Sequence, residues 1–356
     1  GGVLGGLLEY RAQILEPSRR ALGETAVALV EKFNSQHGAG MDLRGNLGTD
    51  FFGVGTPTVL TSAFNSGSGT ANATIADVSS LSGADYILEF DGAAYSLQRT
   101  DNGQVVPMTG SGTPADPFVA DGLSIVTGGA PAAGDRLMIR PSRDIAASVS
   151  RDIDDAQAIA MATPVRVALA NSNLGDAAIG SISIVDQADP NLLTPSVIRF
   201  LDPTTYSING AGAFAFTSGD PITINGASFV IEGAPDTGDI FTIEPNYGGI
   251  GDNGNGLLLS GVQAEGILAG GTISINDSYG QLVANVGSTT RQVQANLGAQ
   301  TVLLSNTEDS YLAKSGVNLD EEAANLLRYQ QAYQAVAQVV AVANTLFDSL
   351  LNATRR

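Results

Sequence analysis

From Leu4 to about Phe33 the apolar residues recur at helical spacing: Leu8, Leu15, Leu22 and Leu29 fall seven apart, with Ala26 and Phe33 beside them. That period predicts an amphipathic helix with one apolar face. Pro17 interrupts it. A proline donates no amide hydrogen and its ring crowds the preceding turn, so the helix is expected to end or kink near Glu16, or a second helix to open with Pro17 in its first turn. Two helical pieces are therefore expected. After Gln36 the pattern gives way to Gly38, Gly40, Gly45, Asn46 and Gly48 before Phe51 and Phe52, a loop that ends in an aromatic anchor.

Between about Gly55 and Pro245 the chain breaks into short β-branched runs separated by Gly, Pro, Asp and Asn, the mark of antiparallel strands and tight turns. An internal repeat lies within it. Asp116 to Pro141 aligns without a gap on Asp220 to Pro245, with 12 identities in 26 positions at a constant offset of 104. Both copies keep an Asp-Pro start, a turn pair (Asp121-Gly122, Asn225-Gly226) and a Gly-Ala-Pro triplet (Gly129 to Pro131, Gly233 to Pro235). Asp-Gly and Asn-Gly accept the positive φ angles of a type I′ turn, so each copy is expected to fold as a hairpin, its second strand through Ser124-Ile125-Val126 or Ser228-Phe229-Val230. A third strand should follow Gly134-Asp135 and Gly238-Asp239. Upstream, Ile87, Asp91, Tyr95 and Ser96 match Ile198, Asp202, Tyr206 and Ser207 at an offset of 111, and a loop of different length absorbs the shift. Two copies are too few for a solenoid, which leaves two related β modules, each covering its apolar face with its neighbour or its own sheet. The Ala-rich stretch 154–170 between them reads as a short helical or extended connector.

Residues 249–256 (GIGDNGNG) form a flexible boundary, and 257–271 carry no decisive period. Helical spacing returns from about Asp277 in Tyr279, Val283, Val286, Val293, Leu297, Leu304 and Tyr311. A last helix starts after Gly316. Asn318 is a good N-cap, Glu321 stands where it can complete a capping box, and Asp320, Glu321 and Glu322 favour the positive end of the helix dipole. Counted in sevens, Leu319, Leu326, Tyr333, Val340 and Phe347 form one row, and Glu322, Tyr329, Val336, Ala343 and Leu350 the other. Roughly 35 residues without Gly or Pro make a helix of about 50 Å with a coiled-coil seam, which requires a partner. That partner is either this same chain, at the helix ending near Tyr311 or the one from Leu8 to Phe33, or a surface outside it. Leu327, Val339, Val342 and Leu346 add apolar surface beyond the seam and favour the second. The expected assembly interface is then Leu319, Leu326, Tyr329, Tyr333, Val336, Val340, Ala343, Phe347 and Leu350, pairing with a segment absent from this chain and with neighbouring subunits.

The whole reads as an α+β multidomain chain, with long helices at both ends flanking two repeated antiparallel β modules. The expected parts are a helical segment 1–54, β modules 55–153 and 154–250, a returning helix 251–315 and a heptad helix 316–356.

Charge narrows the partners. Thirty-six acidic residues face 17 basic ones for a net charge of -19, and Lys32 and Lys314 are the lysines, so no basic patch can track a phosphate backbone and nucleic acid is not expected. No uninterrupted apolar run approaches the roughly 20 residues of a membrane helix, so membrane insertion is not expected. There is no cysteine, no tryptophan and one histidine, His37, which removes thiolate chemistry, zinc clusters and most histidine acid-base schemes. Charged residues make up only 15%, and a composition rich in Gly, Ala, Ser, Thr and Asn fits a folded secreted surface. The chain opens Gly1-Gly2-Val3 without a methionine and is expected to be a piece of a longer protein.

Candidate chemistry is sparse. Asp252 to Gly256 resembles a calcium loop, but one carboxylate without a distal Glu reads better as a Gly-rich turn. Asp152, Asp154 and Asp155 suggest paired acids, yet Arg151 adjoins them and a solvated face is the expectation. His37 ends a helix, where an imidazole suits the dipole. Tyr329 and Tyr333 pack in the seam. No catalytic residue, metal or cofactor is expected.

The run Ser315 to Ala332 (SGVNLDEEAANLLRYQQA), continued by Tyr333-Gln334-Ala335 and closed by Thr345 to Leu351 (TLFDSLL), closely resembles the C-terminus of the FlgK family of flagellar hook-associated proteins. Leu4 to Arg11, Phe33-Asn34 and Asp50-Phe51-Phe52 resemble that family's middle region. The resemblance covers about 130 to 150 residues at the two ends and omits the family's N-terminal third or more. It implies a structural subunit of the bacterial flagellum at the hook-filament junction, secreted through the type III export apparatus and assembled outside the cell with the β modules facing outward. It also implies partners: further copies, the hook protein, the second junction protein and an export chaperone that takes the C-terminal helix. The rival class is a secreted surface-binding protein, adhesin or phage-tail-like, whose β modules grip a carbohydrate; a glycan-degrading enzyme comes third.

Overall fold

The computed structural model describes residues 2–316 and 318–354; Gly1, Arg355, Arg356 and Val317, one position of the C-terminal motif, lie outside the described residues. The fold is α+β, with helices at both ends flanking antiparallel sheets. It divides into two units, Gly1–Val286 and Gly287–Arg356.

Helix α1 (Gly2–Tyr10) runs on through a π-helical turn (Arg11–Leu15) into α2 (Glu16–Gly38), which has Pro17 in its first turn. Two helical pieces are present as expected, the second opening with Pro17 in its first turn, and a π-helical turn rather than a chain break joins them. The carbonyl that the proline ring would crowd, that of Gln13, lies in the wider π turn, which opens the ladder where the ring needs room. The buried face differs from the count in sevens. Gly23, Val27, Ala28 and Val30 are buried, whereas Leu8, Leu15 and Leu22 are exposed. Close approach explains this: a Cβ on Gly23 would stand 1.8 Å from the carbonyl oxygen of Ser142, so small residues line the contact and the leucines face outward.

After β1 (Phe52–Gly53) comes the first module: β2 (Thr58–Thr61), β3 (Thr70–Ile75), β4 (Tyr86–Phe90), β5 (Tyr95–Arg99), β6 (Val105–Val106), β7 (Phe118–Ala120), β8 (Leu123–Gly128) and β9 (Asp135–Arg140). These strands form a five-stranded antiparallel sheet ordered β2-β9-β4-β5-β6 and a three-stranded one ordered β3-β8-β7. β10 (Ser150–Arg151) then pairs with β1. The second module consists of β11 (Val165–Leu169), β12 (Ala178–Ile184), β13 (Ser196–Asp202), β14 (Thr205–Ile208), β15 (Ala211–Ala215), β16 (Pro221–Ile224), β17 (Ala227–Glu232) and β18 (Ile240–Pro245). Its sheets, β11-β18-β13-β14-β15 and β12-β17-β16, repeat the first strand for strand.

The repeated turns fold as their chemistry requires. Asp121 and Gly122 have φ of 46° and 76°, Asn225 and Gly226 of 50° and 76°, and each pair closes a two-residue hairpin between β7 and β8 or β16 and β17. The change of offset is taken up after β5 and β14: the second module turns sharply at Asn209-Gly210 into β15, where the first uses the longer stretch 100–104. Within each module the two sheets close on one another. Tyr86, Leu88, Leu97, Leu123, Ile125 and Ile139 are central to the first core, and Ile198, Phe200, Phe229, Ile231, Phe241 and Ile243 to the second. Neither module needs its neighbour to hide an apolar face.

A third core ties the helical segment to its surroundings, with Val27 and Ala28 of α2 packed against Val78, Ile145, Val262, Leu268 and Ile275. The connector at 141–164 contributes 3-10 turns at Ile145–Ser148 and Ala156–Ala158, and Ala162 bridges to Met41. The stretch without a decisive period begins as α3 (Gly254–Gly261), followed by a short pairing of Gly266–Ile267 with Ile273–Ser274. A returning helix then runs from Ile275 to Ser315, and a terminal helix from Leu319 to Thr354.

Candidate assembly surface

The terminal helix is 36 residues long, about 54 Å, with no Gly or Pro in it. Its start is fixed locally. The Asn318 side-chain oxygen accepts the Asp320 N–H at 3.1 Å, and the Asn318 carbonyl accepts the Glu322 N–H at 2.9 Å. Asp320, Glu321 and Glu322 fill the first turn, where carboxylates offset the positive dipole end.

None of its residues is buried. Leu319, Leu326, Tyr329, Tyr333, Val336, Val340, Phe347 and Leu350 are all large, apolar and exposed, Tyr333 at 77% and Leu319 at 80%; Ala343, in the same row, is exposed too. Leu327, Val339, Val342 and Leu346 widen the apolar surface. The returning helix likewise exposes Val293, Leu297, Leu304 and Tyr311. Covering one such Leu or Val is worth about 1.5–3 kcal/mol, so a row of them is a strong reservoir for association.

An 18-residue window within Ile275–Thr354 reaches a mean hydropathy of 1.3, enough by length and composition alone to cross a bilayer, although no uninterrupted apolar run of that length exists. Gln330, Gln331, Gln334, Gln338 and Asn344 recur along the terminal helix. Lipid would leave those amides without partners, whereas a protein interface need bury only one face.

The other candidate residues are held by local structure. His37 stands in the last turn of α2 but is fully buried, and its imidazole does not serve the dipole as expected. Nδ1 lies 2.6 Å from the Thr49 carbonyl oxygen and Nε2 accepts the Ala160 N–H at 2.9 Å. An accepting nitrogen carries no hydrogen, so Nδ1 is the donor and the ring is neutral. Asp252 locks the Gly-rich turn: its carboxylate accepts the Thr163 N–H at 3.0 Å, the Gly254 N–H at 2.8 Å, the Asn246 amide at 2.7 Å and the Thr163 hydroxyl. Burial pushes its pKa up, but these donors outweigh it and hold it below the ordinary Asp value. Asp152 accepts from Ser150, Asp154 pairs with Arg151 at 2.6 Å, and Asp155 pairs with Arg44, so the three acids serve separate partners. Among the described residues no group of three or more His, Cys, Asp or Glu is placed to hold a metal.

Sequence reasoning missed two devices. Asn34 clasps the aromatic anchor: its side-chain oxygen accepts the N–H groups of Phe51 and Phe52, both at 2.9 Å, and its amide donates to the Phe52 carbonyl at 2.7 Å. Phe33, Phe51 and Phe52 then pack edge to face, with centroids 4.7–5.2 Å apart. The other device is repeated. Asn65 exchanges two hydrogen bonds with the backbone of Arg136, and Asn173 does the same with Ile240. Beside them the buried carboxylates of Asp135 and Asp239 gather backbone N–H groups. A signal was present, since Gly134-Asp135 and Gly238-Asp239 are both retained in the repeat.

Comparison with known proteins gives three family matches. Residues 1–52 match the flagellar hook-associated protein FlgK helical domain, 60–141 the D2-like domain of flagellar hook-associated protein 1, and 308–353 the C-terminal part of the flagellar basal body rod FlgEFG proteins. Flagellar hook-associated protein 1 of Escherichia coli K12 is 29% identical over 351 residues, 99% of this chain and 49% of that protein. Its Salmonella typhimurium counterpart is 29% identical over 353 residues, 99% of this chain and 50% of that protein. The solved flagellar hook junction protein FlgK from Burkholderia pseudomallei is 28% identical with a TM-score of 0.78, over 89% of this chain and 63% of that one. The chain spans about half the length of the curated relatives it matches.

Proposed function

The chain belongs to the FlgK family of flagellar hook-associated proteins, and from that we propose that it is a structural subunit of the bacterial flagellum at the hook-filament junction, assembling through its helical ends. One observation carries the reading. Each β module closes its own core, while the terminal helix leaves every described seam residue uncovered. A fold that is complete in its modules and incomplete along its helices is built to add to other helices. Its interface is formed by Leu319, Leu326, Tyr329, Tyr333, Val336, Val340, Ala343, Phe347 and Leu350, with Asn318 and Glu321 setting the helix start. The relatives favour this reading over a carbohydrate-gripping surface protein.

The proposed partners are further copies, the hook protein and the second junction protein, and an export chaperone that shields the terminal helix before secretion to the extracellular flagellum. A chain without cysteine has no disulfide to undo before export in an unfolded state. The test is made in cells whose intact protein carries Leu326→Asp with Val340→Asp. Secretion should persist while electron microscopy finds hooks without filaments. Normal filaments on such hooks would refute the assigned interface.

A further inference from the structure

We infer that a cleft between α2 and the first β module receives a carboxylate from a second copy of this chain. Arg11, Arg20, Arg140 and Arg143 border a cavity of about 510 Å³ together with two acids, Glu16 and Asp85. Four guanidinium groups line it against two carboxylates, with Glu24 a third acid beside Arg20, so cations outnumber acids there in a chain whose net charge is -19.

Both acids are ion-paired, although Glu16 Oε2 and Asp85 Oδ1 each lack a hydrogen-bond donor. Glu16 pairs with Arg11 at 2.9 Å and with Arg143 at 2.7 Å; Asp85 pairs with Arg143 and stands 3.6 Å from Arg20. Arg140 makes no ion pair among the described residues, and the Nε atoms of Arg20, Arg140 and Arg143 are buried without a hydrogen-bond acceptor. A buried donor left unmade is unfavourable, and a guanidinium is best satisfied by a carboxylate that it can grip with two N–H groups.

The second module supplies an internal comparison. Where the first has Arg140, the repeat has Glu244, which faces Arg166 across β11 and β18 and pairs with it at 2.8 Å. Arg140 faces Thr58 across β2 and β9. One copy of the repeat therefore closes this cross-strand position with its own ion pair, and the other leaves a cation there with no acid of its own.

Charge complementarity selects the occupant. An acidic chain that assembles with its own kind brings carboxylates to every contact, and Leu8, exposed at the rim of the cleft, suits an acidic segment that also carries an aliphatic residue. The inference rests on the assembly reading only in taking a second copy as the source.

Sedimentation velocity on the wild-type chain, Arg140→Met and Arg140→Glu over a range of concentrations tests it, with circular dichroism to confirm folding. Arg140→Glu should self-associate about tenfold or more weakly than wild type, with Arg140→Met between them, and hexaglutamate peptide should dissociate the wild-type complex. Equal behaviour of wild type and Arg140→Glu, whether both associate or both stay monomeric, would overturn it, as would indifference to hexaglutamate. Filaments that still form in cells carrying Arg140→Glu, but not in cells carrying the Leu326 and Val340 changes, would sink this inference and leave the junction proposal standing.

Discussion

Asp135 and Asp239 occupy the same position of the repeat, and each holds a distant loop to its own module by backbone N–H groups alone. Asp135 accepts from Ser66 and Ala132 at 2.8 Å and from Gly67 at 3.0 Å; Asp239 accepts from Leu174 and Asp236 at 2.8 Å and from Gly175 at 3.1 Å. The loops that enter β3 and β12 are thereby fastened to the starts of β9 and β18. The duplication has conserved a tether as well as a pair of turns.

That tether is acid-sensitive. The Ala132 N–H, with Ser66 and Gly67, holds the Asp135 pKa below its ordinary value of 3.8 against the effect of burial. For Asp239 burial pushes upward, and the Asp236, Leu174 and Gly175 N–H groups outweigh it. A depressed carboxylate stabilises the fold fully above its unfolded pKa and ceases to as pH falls through the folded one, so both modules should weaken below about pH 3.8. Melting temperatures from pH 5 to pH 2 should fall steeply for wild type and less steeply for Asp135→Asn with Asp239→Asn. Parallel curves would rule the tether out as the cause.

Glu24 should act in the opposite sense. It is packed against the loop at Gly83, and burial raises its pKa from 4.5 to about 7, with Arg20 and the Gly83 N–H opposing. The folded state then binds the proton more tightly than the unfolded one, so the contribution is fully present below pH 4.5 and is lost as pH rises through about 7. Glu24→Gln keeps the shape without the charge. Its stability by urea unfolding should gain on wild type between pH 5 and pH 8, by about 2–3 kcal/mol. A gap independent of pH would contradict this.

Asn34 offers a test of the helical segment. Replacing it by alanine strands the N–H groups of Phe51 and Phe52 and the Phe52 carbonyl, which should destabilise the chain by about 2–3 kcal/mol in urea titration. Asn34→Asp retains the acceptor for both N–H groups and should fall between alanine and wild type. Equal losses for the two variants would mean that the side-chain oxygen is not what holds the aromatic anchor.

The contrast between these devices and the turns explains what could be read from the chain. Asp121-Gly122 and Asn225-Gly226 declare their geometry within two residues, because positive φ is a local demand that Gly meets and Asp or Asn tolerates. The long helices are equally local, as their period lies in the chain itself. Strand order is not: β2 pairs with β9, Thr58 with Arg140, and nothing between them specifies that register. The buried face of α2 escaped for a related reason, since Ser142 selects Gly23 by approaching it and the leucine period carries no trace of that contact. For the terminal helix the period marks which residues share a face, whereas nothing periodic in the chain says what would cover it.

His37 shows how much a single long-range contact can carry. It joins the end of α2 to Thr49 in the glycine loop and to Ala160 in the connector between the β modules, so one ring holds the helical segment to both. His37→Ala would leave a buried carbonyl and a buried N–H unpaired around a cavity, at a cost of about 3–5 kcal/mol. His37→Gln separates the two bonds. Its side-chain oxygen can reach toward Ala160 as Nε2 does, but it supplies no donor where Nδ1 meets Thr49, so less than half of the lost stability should remain lost. Urea unfolding of the three chains measures this, and hydrogen exchange at the Ala160 amide shows which bond survives. If Gln is as damaging as Ala and the Ala160 amide exchanges freely in both, the accepting nitrogen is the one that matters and the glutamine has failed to replace it. If Gln matches wild type, the contact with Thr49 contributes little, and the glycine loop is held instead by Asn34 and the phenylalanines.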